Sequence, residues 1–481
     1  MIARRGARAT TGPAAYAAIG VAMLFGLGLR IAVARGGLWL DEAWTAKYVA
    51  QAGTPIGVVW QINHDNNHFL NSWWMLLVGP FAPTMLVRGL SIATGVASIA
   101  VAGAIGLRRS PATGIFAALL FAVSPILVAY GAEARGYGPM VLVMLLSILA
   151  IDRWLYDDRR APVWMLGGLT LLGMLAQFTY VFALSAFGGW IVFTLARRVT
   201  VDAAVRTAMR ALAPSFAAVA LVVALVVAAA RASATGFQAG GYPDFSLAAF
   251  SSALSEAMVY TTGLSLGAPF ATIAAALGGI LAMLAAGVSA RRFLYAFALL
   301  AFPAVLAVAL ARIGNGGFAR YYLVASIAAL LLVAEIAGAG IAGGTWRRTG
   351  TIGVVAIIMV ASLSRDAALA SSLRGDPARA IATMRAFAPR GASVGIDTIR
   401  PTAVLDAAAR TAGYRIEIRR DCPAAAFAFI DLEQGSPAPP RLTRCGERYA
   451  RIAVGRWLAL SGFDWALYAR IRSQKPKPSR R

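Results

Sequence analysis

The sequence predicts an α-helical polytopic membrane protein with about eleven transmembrane helices, interfacial helices in its first external loop and a small C-terminal α/β soluble domain. Three observations carry this. Hydrophobic residues fill 59% of the 481 positions and mean hydropathy is +0.69, more than the interior of a water-soluble globule of this size can enclose. Apolar runs of about 20 residues, the length that crosses a hydrocarbon core of roughly 30 Å, recur with arginine pairs between them. After Arg365 the long apolar runs stop and short β-prone segments begin. The formal charge of +24 falls in small clusters between apolar runs and not in a stripe with interleaved aromatics, so it reads as membrane topology and not as nucleic-acid binding.

Arg4, Arg5 and Arg8 precede the first apolar run, 14–34, and place the N-terminus in the cytoplasm. Ala32-Val33-Ala34 resembles a signal-peptidase site, but the run exceeds a signal core of roughly 7–15 residues and reads as an uncleaved helix. The stretch 68–82 is short and broken by Asn71, which suits an interfacial helix. Spans at 84–107, 111–130, 138–155 and 162–179 then leave Arg108, Arg109, Arg159 and Arg160 inside. Further spans at 180–196, 211–230, 267–288, 293–311, 321–342 and 350–364 do the same for Arg197, Arg198, Arg291, Arg292, Arg347 and Arg348. This divides the chain into a membrane domain, 1–364, and an extracytoplasmic C-terminal α/β domain, 365–481, with a basic tail KPKPSRR. Asp376-Pro377 is an N-cap and N1 signal for a helix, and β-prone runs follow at 392–397, 414–419, 425–431 and 449–454. Cys422 and Cys445 would suit a disulfide if this domain lies in an oxidising compartment, and they lack zinc-ligand spacing.

Polar residues at membrane depth are costly, and here they gather at the outer ends of spans. Asp41 and Glu42 sit in GLWLDEAWTA between Trp39, Leu40 and Trp44, where an apolar frame raises the basicity of a carboxylate and fits it for general-base work; an interfacial turn with an aromatic anchor gives the same pattern. NHDNNHF holds both histidines of the chain. His64 and His68, with Asp65, could orient a sugar or bind a divalent cation, or the loop groups could simply satisfy one another. Glu133, Arg135 and Tyr137 mark the junction of the third and fourth spans, and Arg320 and Tyr321 the outer start of the tenth. Each offers a guanidinium whose fork suits a phosphate oxygen pair or snorkels to headgroups, and Arg88 is a further candidate. Their convergence on one side is the argument for a shared site.

In order and spacing, these segments are similar to the GT-C glycosyltransferases, specifically the family 39 group related to protein O-mannosyltransferases and the aminoarabinose transferases of lipid A. GLWLDEAWTA resembles that family's Asp-Glu pair, HDNNHFLNSWW its Asp-x-His-Pro-Pro-Leu segment, VRGLSIATG its Arg-Leu-Pro-Ser stretch, SPILVAYGAEARGYGPMVL its Ser-Pro to Glu-Ala-Arg-x-Tyr stretch, and Arg320-Tyr321 a later arginine-tyrosine motif. The likeness covers residues 30–145, thins out to 345, and is absent from the C-terminal domain; Asn66-Asn67-His68-Phe69 departs from the second motif. The resemblance implies an inverting transfer of a monosaccharide from a polyprenyl-phosphate donor to a lipid, glycan or protein acceptor at the external face of the cytoplasmic membrane, with membrane lipids as surroundings. It implies Asp41 as base, Glu42 assisting it, Asp65 binding acceptor or sugar, and Arg135 and Arg320 holding the leaving phosphate. No cofactor is required by this branch, and metal dependence is not implied. The alternatives are a glycolipid transporter or flippase, which calls for midplane polar groups and repeat symmetry, and a non-catalytic envelope assembly protein.

Overall fold

The computed structural model describes residues 12–157, 159–238, 245–265, 291–299, 317–420, 425–458 and 462–471, with isolated positions between 267 and 311 and at 460. The N-terminal arginines, most of the expected span 267–288, part of the span 293–311, Cys422 and the basic tail lie outside the described residues.

Helix α1 (Pro13–Val33) starts on a proline at its first turn and carries a single charged residue, the buried Arg30. It ends at a turn that leads into α2 (Leu40–Ala52), α3 (Pro55–Trp60) and α4 (Phe69–Val78), three short helices in the first long connection. A short turn of helix, α5 (Thr84–Val87), precedes α6 (Gly89–Leu107), so the expected run 84–107 is broken at Arg88. The run expected as one span over 111–130 is also broken. Helices α7 (Pro111–Val123) and α8 (Pro125–Gly131) meet at 59°, because Pro125 has no N–H to continue the ladder and Ser124 takes an extended backbone before it. Helix α9 (Tyr137–Tyr156) returns, followed by the shorter apolar helices α10 (Val163–Ala176) and α11 (Tyr180–Leu195) and by the 32-residue α12 (Val201–Ala232). Helices Leu247–Thr262, Arg292–Leu299, Leu323–Ile341 and Thr345–Ser371 complete the described part of the bundle, the last running seven residues beyond the expected end at 364.

Among the described residues six helices are long and apolar enough to cross a membrane, or seven if the bent pair α7 and α8 is one span. The chain is therefore a membrane-embedded helical protein. Its helices pack through a continuous core in which Phe121, Met144, Phe187 and Leu331 are buried.

The C-terminal part is a six-stranded mixed sheet of order β2-β1-β3-β6-β5-β4, built from β1 (Ala392–Ile396), β2 (Ile416–Arg419), β3 (Phe427–Leu432), β4 (Arg441–Arg444), β5 (Glu447–Gly455) and β6 (Asp464–Arg470). β2, β1 and β3 are parallel and the rest antiparallel. Helix Pro401–Thr411 makes the crossover from β1 to β2. Helix Pro377–Phe387 opens as its sequence signal foretold, with the Asp376 side chain accepting from the Arg379 N–H at 3.3 Å. β4 and β6 were not anticipated. Cys445 is disulfide-bonded.

Candidate functional site

The first connection is clamped to the bundle by a buried ion pair. Glu42, one residue past Asp41 on α2, points inward and is fully enclosed, and so is Arg88. Arg88 donates from Nε and Nη2 to the two Glu42 oxygens at 2.9 and 2.6 Å, and its remaining N–H groups reach the carbonyls of Ala34, Gly36 and Gly37 at 2.6, 3.1 and 2.7 Å. Glu42 also accepts from the backbone N–H groups of Trp39 at 3.1 Å and Ala134 at 2.6 Å. Burial would raise this carboxyl, but Arg88 and these donors outweigh it and hold the group below the usual carboxylate range. Both Glu42 and Arg88 are thus spent within the protein. They tie α1, α2, α6 and the loop after α8 together.

Asp41 turns the other way. Its carboxylate contacts the guanidinium of Arg135, and Arg320 lies 3.5 Å away. It is the more open member of the trio, 23% exposed against 5% for Arg135 and 15% for Arg320. The rest of Arg135 is fixed by Asn66 Oδ1 at 2.7 Å and by His68 Nε2 at 2.9 and 3.1 Å. Asn66 in turn donates to the Asp41 carbonyl at 2.8 Å and to Thr45 Oγ1 at 3.0 Å. The guanidinium also lies 5.2 Å from the centre of the Tyr137 ring, a cation–π distance. Gly136 permits this turn, since a Cβ there would collide with the Ala176 carbonyl.

His68 is buried, with Nδ1 3.0 Å from the Ala176 carbonyl and Nε2 facing Arg135. Burial and the adjacent guanidinium hold its imidazole well below the usual range. The ring is therefore neutral, donating through Nδ1 and accepting through Nε2. His64 and Asp65 stand apart from it, their side chains 2.7 Å from each other and about a quarter exposed, on a loop that pairs with Gln238. Among the described residues, no group of three or more His, Cys, Asp or Glu side chains is arranged to hold a metal ion. The Tyr137 ring lies tilted 4.4 Å from that of Tyr130, and among the described residues its buried hydroxyl has no hydrogen-bond partner. Arg320 lies 4.1 Å from the Phe318 ring and 5.6 Å from that of Tyr321.

Glu133 is enclosed beside Arg374, a residue that follows the last long helix, at 3.3 Å, while its Oε2 has no partner among the described residues. Burial dominates this single long contact and pushes the carboxyl up to about 7. Because the folded protein then holds a proton that the unfolded chain releases above its ordinary value of 4.5, stability falls as pH rises from 4.5 to 7 and levels off above. The expected result is a melting temperature that declines over that window in the parent protein and is flatter in Glu133→Gln, measured in detergent across pH 4.5–8.

Sequence reasoning brought Asp41, Arg135, Tyr137, Arg320, Tyr321 and His68 to one rim. Glu42, Arg88 and Glu133, which the sequence placed at the same rim, are enclosed instead, His64 and Asp65 stand apart from it, and Asn66 was missed as the bridge between Arg135 and Asp41. Sequence reasoning also missed Arg374, which reaches the carbonyl of Ala132 at 2.9 Å and carries no local motif. No protein-family model matches the chain, and no curated protein does.

Proposed function

We propose that the chain is an inverting glycosyltransferase that moves a monosaccharide from a polyprenyl-phosphate donor to a hydroxyl or amine acceptor. The reading rests on one observation: a partly open carboxylate, Asp41, contacts two guanidiniums drawn from segments far away in sequence. Arg135 and Arg320 have the fork geometry that grips a phosphate. An incoming lipid phosphate competes for them with Asp41, and so frees the carboxylate beside the sugar. Asp41 then takes the proton of the acceptor as the acceptor attacks the anomeric carbon. The carbon–oxygen bond to phosphate breaks on the opposite face, and its electron pair leaves on the lipid phosphate held by the two arginines.

Under this proposal the eleven-span arrangement holds, the N-terminus is cytoplasmic, and the Asp41 rim and the C-terminal domain face outward from the cytoplasmic membrane. The likeness to family 39 in the order of the motifs supports the same reading. The test supplies radiolabelled polyprenyl-phosphate sugars and candidate lipid, glycan and protein acceptors to the purified full-length protein. Consumption of a donor with release of polyprenyl phosphate is expected, and failure of every donor to react would overturn the proposal. With an active donor, Arg320→Ala is expected to lower kcat/KM by about 10- to 100-fold, the worth of one hydrogen bond to a charged group. An unchanged kcat/KM would remove Arg320 from the phosphate grip.

A further inference from the structure

At the end of the bundle opposite Asp41, a groove of about 310 Å³ opens between the last turns of α9 and the first turns of α10. Leu149, Met165 and Leu169 contribute its apolar wall. Arg153, Arg159, Arg160 and Trp154 also line it, and among the described lining residues none is a carboxylate. The three arginines are exposed, and among the described residues none of them has an ion-pair partner. Their neighbours differ sharply. Arg291 meets Asp152 at 2.7 Å and also contacts Glu335, while Arg108 binds Asp152 and Asp157. Those guanidiniums are consumed by structure; the three at the groove are not.

The rim is also held in place before any ligand arrives. Asp157, where α9 ends, receives two bonds from Arg108 at 2.9 and 3.2 Å, and Arg198 donates to the Leu155 carbonyl at 2.9 Å. A cationic rim above an apolar wall at the edge of a membrane helix matches one chemistry: a phosphate diester joined to an acyl chain. A zwitterionic headgroup would bring its ammonium against three guanidiniums, with no carboxylate among the described lining residues to receive it. The groove is not the donor site, because along α9 its arginine rim begins at Arg153, about 24 Å from Tyr137.

We propose that this groove is a binding site for one anionic phospholipid, with the headgroup phosphate among Arg153, Arg159 and Arg160 and an acyl chain along Leu149, Met165 and Leu169. The inference is independent of glycosyl transfer. It is tested on the full-length protein in neutral detergent by adding dioleoyl phosphatidylglycerol, dioleoyl phosphatidylcholine or inorganic phosphate and recording the melting temperature. Phosphatidylglycerol is expected to raise it by roughly 3–8 °C at saturation, and the other two to leave it within about 1 °C. In R153Q/R159Q/R160Q the phosphatidylglycerol increment is expected to vanish; if that variant does not fold, R159Q/R160Q, confined to exposed positions of the connecting loop, is expected to lose most of it. An equal shift with phosphatidylcholine, a shift with inorganic phosphate alone, an increment retained in the arginine variants, or no shift with any lipid would each overturn the proposal.

Discussion

Asp41→Asn is expected to lower sugar transfer by about 10²- to 10⁴-fold, the contribution of a positioned general base, while the chain still unfolds in one transition near the parent temperature. The substitution keeps the size of the side chain and its ability to accept from Arg135, but an amide cannot take the acceptor proton. Its contacts are at a partly open rim and not in the sealed core, so the fold tolerates the change. Turnover with the best donor, measured at saturating acceptor, is the readout, and the loss should appear in kcat more than in KM. A variant that keeps more than a tenth of parental activity would remove Asp41 as the base, though the arginine grip could stand without it.

The second large effect is on stability, and it belongs to the neighbouring carboxylate. Glu42→Ala is expected to cost about 3–5 kcal/mol, because it strands a fully enclosed Arg88 among carbonyls with no counter-charge. Chemical denaturation in detergent micelles would report it as a lower midpoint. The double substitution Glu42→Leu with Arg88→Met should recover much of the loss, since replacing both members by apolar groups removes the buried charge as well as its partner. Equal midpoints for the parent and Glu42→Ala would show that the pair does not hold α2 to the bundle. Adjacent residues thus give opposite signatures, one in rate and one in folding.

That contrast marks how far the sequence could be read. The membrane class follows from apolar run length alone, and the helices Pro13–Val33 and Tyr137–Tyr156 lie within one residue of the expected spans at both ends. Charges the sequence assigned to one end also meet in the structure: Arg108, Arg109 and Arg291 share Asp152, and Asp41 contacts Arg135 and Arg320. What the pattern could not separate was Asp41 from Glu42. On a helix two successive side chains point about 100° apart, so one faces the rim and the other the core, but only the packing partners say which is which. Arg88 was open to the same confusion, as an arginine at a helix end reads alike whether it waits for a ligand or spans a buried carboxylate. The break at Ser124-Pro125 had a visible signal, since proline after an extended residue interrupts a helix. Arg374 had none, because its partner lies 241 positions earlier.

The contact between α2 and the sheet domain carries one more consequence. Ala43, Ala46 and Val49 pack in one apolar cluster with Ile381, Leu405 and Ala408, the Trp39 and Trp457 rings lie 5.4 Å apart, and Gly36 sits so close to the Leu373 carbonyl that any side chain there would collide. The segment bearing Asp41 emerges from the ribosome early, yet its seat is made by residues synthesised more than three hundred positions later. An unfinished chain can thread its helices into lipid without assembling a competent rim. The seat of α2 is therefore completed only when the last portion of the polypeptide has been made.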